Sequence, residues 1–419
     1  MRPSPLAPGG IARVDRAARV AVCGVFFTTG LAFATLVTRV PALQARFGLG
    51  EGELTAVLAL VPVVAGVGSV LAGSASVRFG SRRVVRIAQP ALVLAVAAAG
   101  AVPTLPGLYA AVAAVGLLLG AVDATMNTQA VAVERRYGTS LLTGFHAVWS
   151  AGAVLGSLWA AFTAAPGRGV GLAAAFGAAA AVGLAVSLAA GPFLHRDAPA
   201  ERRGEAGGDA GSGAAASRPR IPWRPVLLVG SALAVVYIAD SAVSSWSAVY
   251  IETGLGSAAL APLGYGAYQA TTLLGRALGD HAVRRFGPAA VVRAGAGAAF
   301  AGLACATAAP APWAAVAGFA LTGLGASVVM PIGFSAAGRL DPEGSGTAVA
   351  RVNVSNYVGF VLGAVLIGTI AEALDLRTAF AAPTVLLLGA VLLARSFDPP
   401  RPGAGPAGSA GPAAEPARG

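Results

Sequence analysis

Asp123 and Asn127 lie one helical turn apart in GAVDATMNTQAVAVERR (120–136), inside an otherwise apolar run that begins near Gly107. Glu134, eleven residues after Asp123, returns to nearly the same direction because 3.6 residues make a turn. The next apolar run carries FHAVWS, with His146, Trp149 and Ser150 at i, i+3 and i+4. Counted from the ends of their helices, Asp123 and His146 differ in depth by only about 3 Å. Carboxyl and imidazole groups are the side chains suited to hand on a proton near neutral pH. Asp240 is a second acid in an apolar run, on one face with Tyr237 and Ser244, and Trp246 is nearby. The candidate proton-coupling groups are therefore Asp123, His146 and Asp240.

Further polar residues at helical spacing fit solute contact. Tyr265, Tyr268, Gln269, Thr272 and Arg276 form one stripe; Asn353, Asn356 and Tyr357 form another. The candidate solute-binding set is Arg39, Asn127, Trp149, Trp246, Tyr265, Gln269, Asn353 and Tyr357. The four aromatics could stack on a sugar-like or aromatic solute, or simply anchor helices. Arg39 could snorkel to an interface or bind an anionic group. Arg276 and Asp280, at i and i+4, read first as an intrahelical ion pair.

The elements that must position these groups are membrane spans. The 419 residues are 56% hydrophobic and 11% charged, with a mean hydropathy of +0.74; soluble domains carry about 25% charged residues. Apolar runs of bilayer length recur at roughly 20–40, 54–76, 85–105, 108–132, 140–164, 169–192, 226–250, 258–280, 289–309, 313–337, 347–371 and 377–396. Twelve spans are expected. An acid at bilayer mid-depth costs about 2.5–3.5 kcal/mol on insertion scales, so it either lines a wet passage or is locked to a buried donor.

Charge supplies the topology. All 29 basic residues are Arg, and only Arg39, Arg46, Arg168 and Arg377 fall in the expected outer segments. This asymmetry places both termini in the cytoplasm of a cell membrane protein and makes nucleic acid an unsuited partner despite the net charge of +11. Cys23 and Cys305 read as small buried hydrophobes, with no disulfide framework. The first apolar run is too long and too well continued for a cleaved signal, so it reads as an uncleaved helix. The expected organisation is a cytoplasmic tail (1–17), a six-helix bundle (18–194), a flexible Gly/Pro/Ala-rich cytoplasmic linker (195–225), a second six-helix bundle (226–396) and a disordered tail (397–419).

The halves share an offset of 207. VRFGSRRVVR (77–86) matches RRFGPAAVVR (284–293), GAVLG (152–156) matches GFVLG (359–363), and His146 pairs with Asn353. A duplicated six-helix unit with a solute site at the interface is one transporter design. Gly116/Gly120, Gly152/Gly156 and Gly359/Gly363 are small-residue pairs that allow close helix approach.

These residues resemble the major facilitator superfamily. GSASVRFGSRRV (73–84) is similar to its hallmark loop, although Val77 stands where that family usually has Asp. The segments TRVP, VDATMNTQAVAVERR, FHAVWSAG, SSWSAVY, GRALGD and NYVGFVLG look like the MosC/YbjJ-like branch, whose members are linked to inositol-derived solutes or are uncharacterised. The resemblance spans about residues 18–396. It implies an all-α fold of two pseudo-symmetric bundles and a cytoplasmic gate drawn from Arg78, Arg82, Arg83, Glu134, Arg276 and Asp280, with Glu134 or Asp280 standing in for the missing acid. It also implies a proton-coupled symporter of a sugar-, polyol- or inositol-like solute, monomeric in the plasma membrane and without cofactor or metal, in which Asp123 matches a coupling acid.

Two other readings compete. A proton-driven exporter of drugs or apolar metabolites would usually carry a Gly-Pro pair in the fifth span, where SAGAVLGSLW has no Pro. A non-transporting membrane sensor or scaffold would need docking motifs that the linker and tail lack. An enzyme is disfavoured: three His, no clustered metal ligands and no nucleotide-cradling loop leave no reaction centre.

Overall fold

The computed structural model describes residues 13–139, 141–165, 167–195, 223–340 and 347–398, apart from the side chains of Asp280, Thr347, Val349, Ala350 and Asn353. The first half comprises α1 (Arg13–Val37), α2 (Val40–Phe47), α3 (Glu51–Phe79), α4 (Ser81–Ala101), α5 (Leu105–Tyr137), α6 (Leu142–Ala164) and α7 (Leu172–Ala190). The second comprises α8 (Trp223–Val249), α9 (Ala261–Phe286), α10 (Pro288–Thr307), α11 (Pro312–Ala326), α12 (Val329–Arg339), α13 (Thr347–Ala373) and α14 (Leu376–Leu392). The expected tail, linker and C-terminal segment fall almost wholly outside the described residues.

Among the described residues, eleven helical stretches are long and apolar enough to cross a membrane, with α11 and α12 forming one stretch that turns at Ser327. The twelfth rod is α9, whose 26 residues suffice in length; its Tyr, Gln, Thr and Arg stripe keeps it below that apolar standard. The first expected span also ends early. Thr38 turns its hydroxyl back to the Ala34 carbonyl (2.6 Å), Pro41 opens the short α2, and Gly48 ends it at φ 64°, a left-handed geometry suited to glycine.

Helix pairing repeats between the halves. α1 packs on α6 as α8 packs on α13, α3 on α5 as α9 on α11, and α4 on α7 as α10 on α14. The pairing repeats residue by residue. A side chain at Gly152 would meet the Phe27 carbonyl, and one at Gly156 the Leu31 carbonyl; 207 positions on, Gly359 meets Ala234 and Gly363 meets Ile238. The same shift carries Gly116 against Val61 onto Gly323 against Tyr268, and Gly68 against Leu117 onto Gly275 against Leu324. Backbones this close leave no space for a Cβ, and that is how small residues bind helices together in lipid. The bundles meet along two seams, α6 against α9 and α3 against α13.

The face holding both described chain ends is the inner face of the expected topology. There the Gln129 amide donates to Ser81 Oγ (2.8 Å) and to the His195 carbonyl (3.2 Å), and its oxygen accepts the His195 N–H (3.0 Å). Asp15 lies 3.4 Å from Arg136 and 3.5 Å from His195 Nε2. Burial and then the Arg136 charge hold the His195 imidazole below its ordinary range, against the pull of Asp15. A histidine lowered in the folded state gives stability that is intact above the unfolded value of about 6.5 and is lost as pH falls below it. His195→Gln should flatten the decline in melting temperature between neutral pH and pH 5; an unchanged decline assigns it to other groups.

Glu134 closes the α5–α6 turn, its Oε2 accepting the N–H groups of Leu141 (2.7 Å) and Leu142 (3.0 Å) at the start of α6. Glu134→Ala should therefore cost about 1 kcal/mol, measured as a shift in the unfolding midpoint; a neutral outcome would show that water caps α6 as well.

Candidate functional site

A cavity of about 300 Å³ lies between the bundles. Asp123 lines it from α5, and the Asn127 amide donates to the Asp123 carboxylate (3.2 Å) and carbonyl (2.8 Å). One helical turn is the reach of such a contact, so Asn127 fixes the acid and does not itself line the cavity. His146 enters from α6, edge-on to Phe26 at 5.1 Å. Asp123 and His146 thus line one cavity from neighbouring helices of the first bundle.

The opposite wall belongs to the second bundle. Asp240 lines it from α8 and accepts a hydrogen bond from Tyr268 of α9. Tyr265 stacks on Tyr268 (centroids 6.3 Å) and meets Phe33 edge-on at 6.1 Å; Trp149 lies 6.0 Å from the other side of Phe33. The aromatic layer therefore bridges both bundles.

Arg276 carries the other charge. Its guanidinium reaches across to α6, donating to Ser150 Oγ (3.3 Å) and the His146 carbonyl (3.4 Å). Ser150 passes its own hydrogen to Gln269 Oε1 (3.1 Å), and Gln269 Nε2 donates to the Tyr265 hydroxyl (2.9 Å). This relay crosses the α6–α9 seam twice. Arg276 also lines a second cavity of about 250 Å³ towards the inner face, with Thr143, Gly279 and Val283, so its side chain partitions the two spaces.

At the other seam the Tyr357 hydroxyl donates to Ser69 Oγ (3.2 Å). Shifted by 207, Ser69 becomes Arg276 and Ser150 becomes Tyr357. The two seam contacts are the same contact in the two repeats, with the long and short partners exchanged. The offset was readable in the sequence; the role of Ser69 was not read from it.

The remaining candidates divide. Trp246 does not reach the cavity: fully buried, it donates its indole N–H to the Ala364 carbonyl (3.0 Å) and ties α8 to α13. Arg39 sits at the outer end, outside the cavity lining, half-buried in the turn before α2. Burial pushes its guanidinium down from the ordinary range, and Glu252 across the seam pulls it back up. The side chains of Asn353 and Asp280 lie outside the described residues, and Asn356 lines the cavity. Of the hallmark-loop arginines, Arg82 donates to the Pro192 carbonyl (2.7 Å), Arg78 covers Phe79 (5.1 Å) and Arg83 is exposed. All three stand at the inner end of α3 and α4, remote from the cavity lining.

Comparison with known proteins adds the last observations. The description of the Major Facilitator Superfamily matches residues 22–309 and 232–418. An uncharacterised MFS-type transporter of Yersinia pestis is 31% identical over 88% of this chain and 93% of its own length. The membrane protein MosC of Rhizobium meliloti is 28% identical, with 91% of each chain covered. Among solved structures, a variant of the nucleoside transporter NupG superposes with a TM-score of 0.68 at 13% identity, covering 91% of this chain and 98% of that one.

Proposed function

This chain belongs to the Major Facilitator Superfamily and is a multi-pass membrane transporter, not an enzyme, working by alternating access; on that premise we propose that it moves a small polar solute of sugar, polyol or inositol type, coupled to protons through Asp123. The observation that carries the proposal is a pair of carboxyls, Asp123 and Asp240, on opposite walls of one inter-bundle cavity. Ionisable groups at membrane depth usually mark solute or proton pathways. His146 stands on the Asp123 side and Arg276 on the Asp240 side, so a solute between them meets hydrogen-bonding groups from both bundles. Rocking the bundles about the α3–α13 and α6–α9 seams then changes which face it sees. The proposed setting is a monomer in the plasma membrane with both termini cytoplasmic, following the Arg distribution.

The test uses protein reconstituted in liposomes with an inward proton gradient. Sugars or polyols should accumulate, and Asp123→Asn should reduce gradient-driven accumulation at least tenfold while solute exchange without a gradient persists. Unchanged accumulation in that variant removes Asp123 from coupling. Expulsion of apolar drugs without sugar uptake turns the reading to an exporter.

A further inference from the structure

The central cavity has two unlike compartments. Its second-bundle wall carries Tyr237, Asp240, Tyr265, Gln269 and Arg276. On the first-bundle side, every lining residue from Phe33 to Leu119 is apolar. These residues come from the outer parts of α1, α3 and α5, from α2 and from Leu49 after it, so the cavity has an apolar pouch beneath α2 that meets the polar wall where Phe33 packs on Tyr265. Leu43, Leu54, Val57, Leu58, Leu108 and Val112 are all buried, with at most 6% exposure. α2 closes the outer end: it packs against α8, and Arg46 at its last turn donates to the Gly100 carbonyl (2.8 Å).

A sugar or polyol alone would seat against the polar wall and leave this apolar side unfilled, because a hydroxyl placed there loses water and gains no partner. Apolar cavities of this kind stay dry and take apolar guests. The charged groups beside the pouch, two carboxyls and one guanidinium with hydrogen-bonding phenols between them, suit an uncharged hydroxylated head. We infer that the solute is an amphiphile: a neutral hydroxylated head held by the Asp240–Tyr268–Gln269 wall, and an aliphatic group of a few carbons filling the pouch beneath α2. The head chemistry rests on the transport reading above; the aliphatic group rests on the pouch alone.

The experiment measures binding to the full-length protein in lipid nanodiscs for two homologous series. One is 1-O-alkyl glucosides from methyl to hexyl, and the other is alkyltrimethylammonium ions of the same lengths. Each buried methylene contributes about 0.8 kcal/mol, so Kd should fall roughly fourfold per carbon and then level off when the pouch is full. Leu58→Asn and Val112→Asn should flatten the series, with Kd no longer falling from methyl to hexyl. Leu58→Ala, a milder change, should move the plateau to a longer chain. Simple partition into lipid would give the same slope in every variant and no plateau, and that result overturns the inference, as does a flat series in the unaltered protein. A chain-length slope in the ammonium series alone keeps the amphiphile and overturns the sugar-like head.

Discussion

Gly152→Leu is expected to prevent the first bundle from assembling, and Gly359→Leu to do the same to the second. In water-soluble cores, one or two extra methylenes cost about 1–3 kcal/mol because neighbouring side chains can move aside. Here the obstacle is backbone. A Cβ at Gly152 would overlap the Phe27 carbonyl, and one at Gly359 would press on Tyr237 and the Ala234 carbonyl. Relief requires α6 to part from α1, or α13 from α8, over several turns. That surrenders the close van der Waals contact that holds helices together in lipid, where no hydrophobic drive replaces it. The loss should exceed about 3 kcal/mol, at the top of the range for overpacked sites, and appear as aggregated protein in detergent gel filtration. Gly177→Leu on α7, where nothing lies within 4 Å of the added Cβ, should remain monodisperse. Equal behaviour of Gly152→Leu and Gly177→Leu would contradict the close α1–α6 approach.

The repeat that makes these variants equivalent was open to inspection in the chain itself. GAVLG and GFVLG gave the offset, and the offset names the partners too: Phe27 with Ala234, and Leu31 with Ile238. Positions of deep acids were legible for a similar reason, because a carboxyl in a long apolar run has few tolerable destinations. Direction around a helix was not legible. Trp246 and Trp149 look alike in sequence, yet one donates to Ala364 in dry packing and the other lines the cavity. Arg276 has an acid four residues on, whose side chain lies outside the described residues, and the contacts of its guanidinium to Ser150 and His146 across the seam carried no sequence signal. The apolar pouch left no trace, since Leu58 facing a cavity and a leucine facing lipid are the same letter. The break before α2 was legible, since Pro41, Gln44 and Arg46 cannot sit deep in lipid at ease and the expected first span stops at about residue 40; the short helix that follows was not read.

Arg276→Gln should abolish transport, with a fall of at least a hundredfold in rate. Among the described residues lining the central cavity, Arg276 is the one guanidinium, and it shares that cavity with the carboxyls of Asp123 and Asp240. In a low-dielectric interior the guanidinium charge offsets that of the Asp240 carboxylate even without direct contact, and its removal leaves that charge uncompensated. A hundredfold fall in rate is about 2.7 kcal/mol of added barrier, within reach of losing the hydrogen bonds from a charged group to Ser150 and the His146 carbonyl, each about 1.5–3 kcal/mol. Two further substitutions separate charge from geometry. Arg276→Lys keeps the positive charge, but both hydrogen bonds to α6 leave from the outermost nitrogen Nη1, which the shorter lysine side chain does not match in reach; it should keep the fold and recover transport only in part. Pairing Arg276→Gln with Asp240→Asn removes both charges, so thermal stability should return while transport stays absent. If the double variant were as unstable as Arg276→Gln alone, Asp240 would not be the charge that Arg276 balances. If Arg276→Gln transported at the unaltered rate, the partition between the central and inner cavities would have to be made by other residues, and the α6–α9 relay would be a packing contact only.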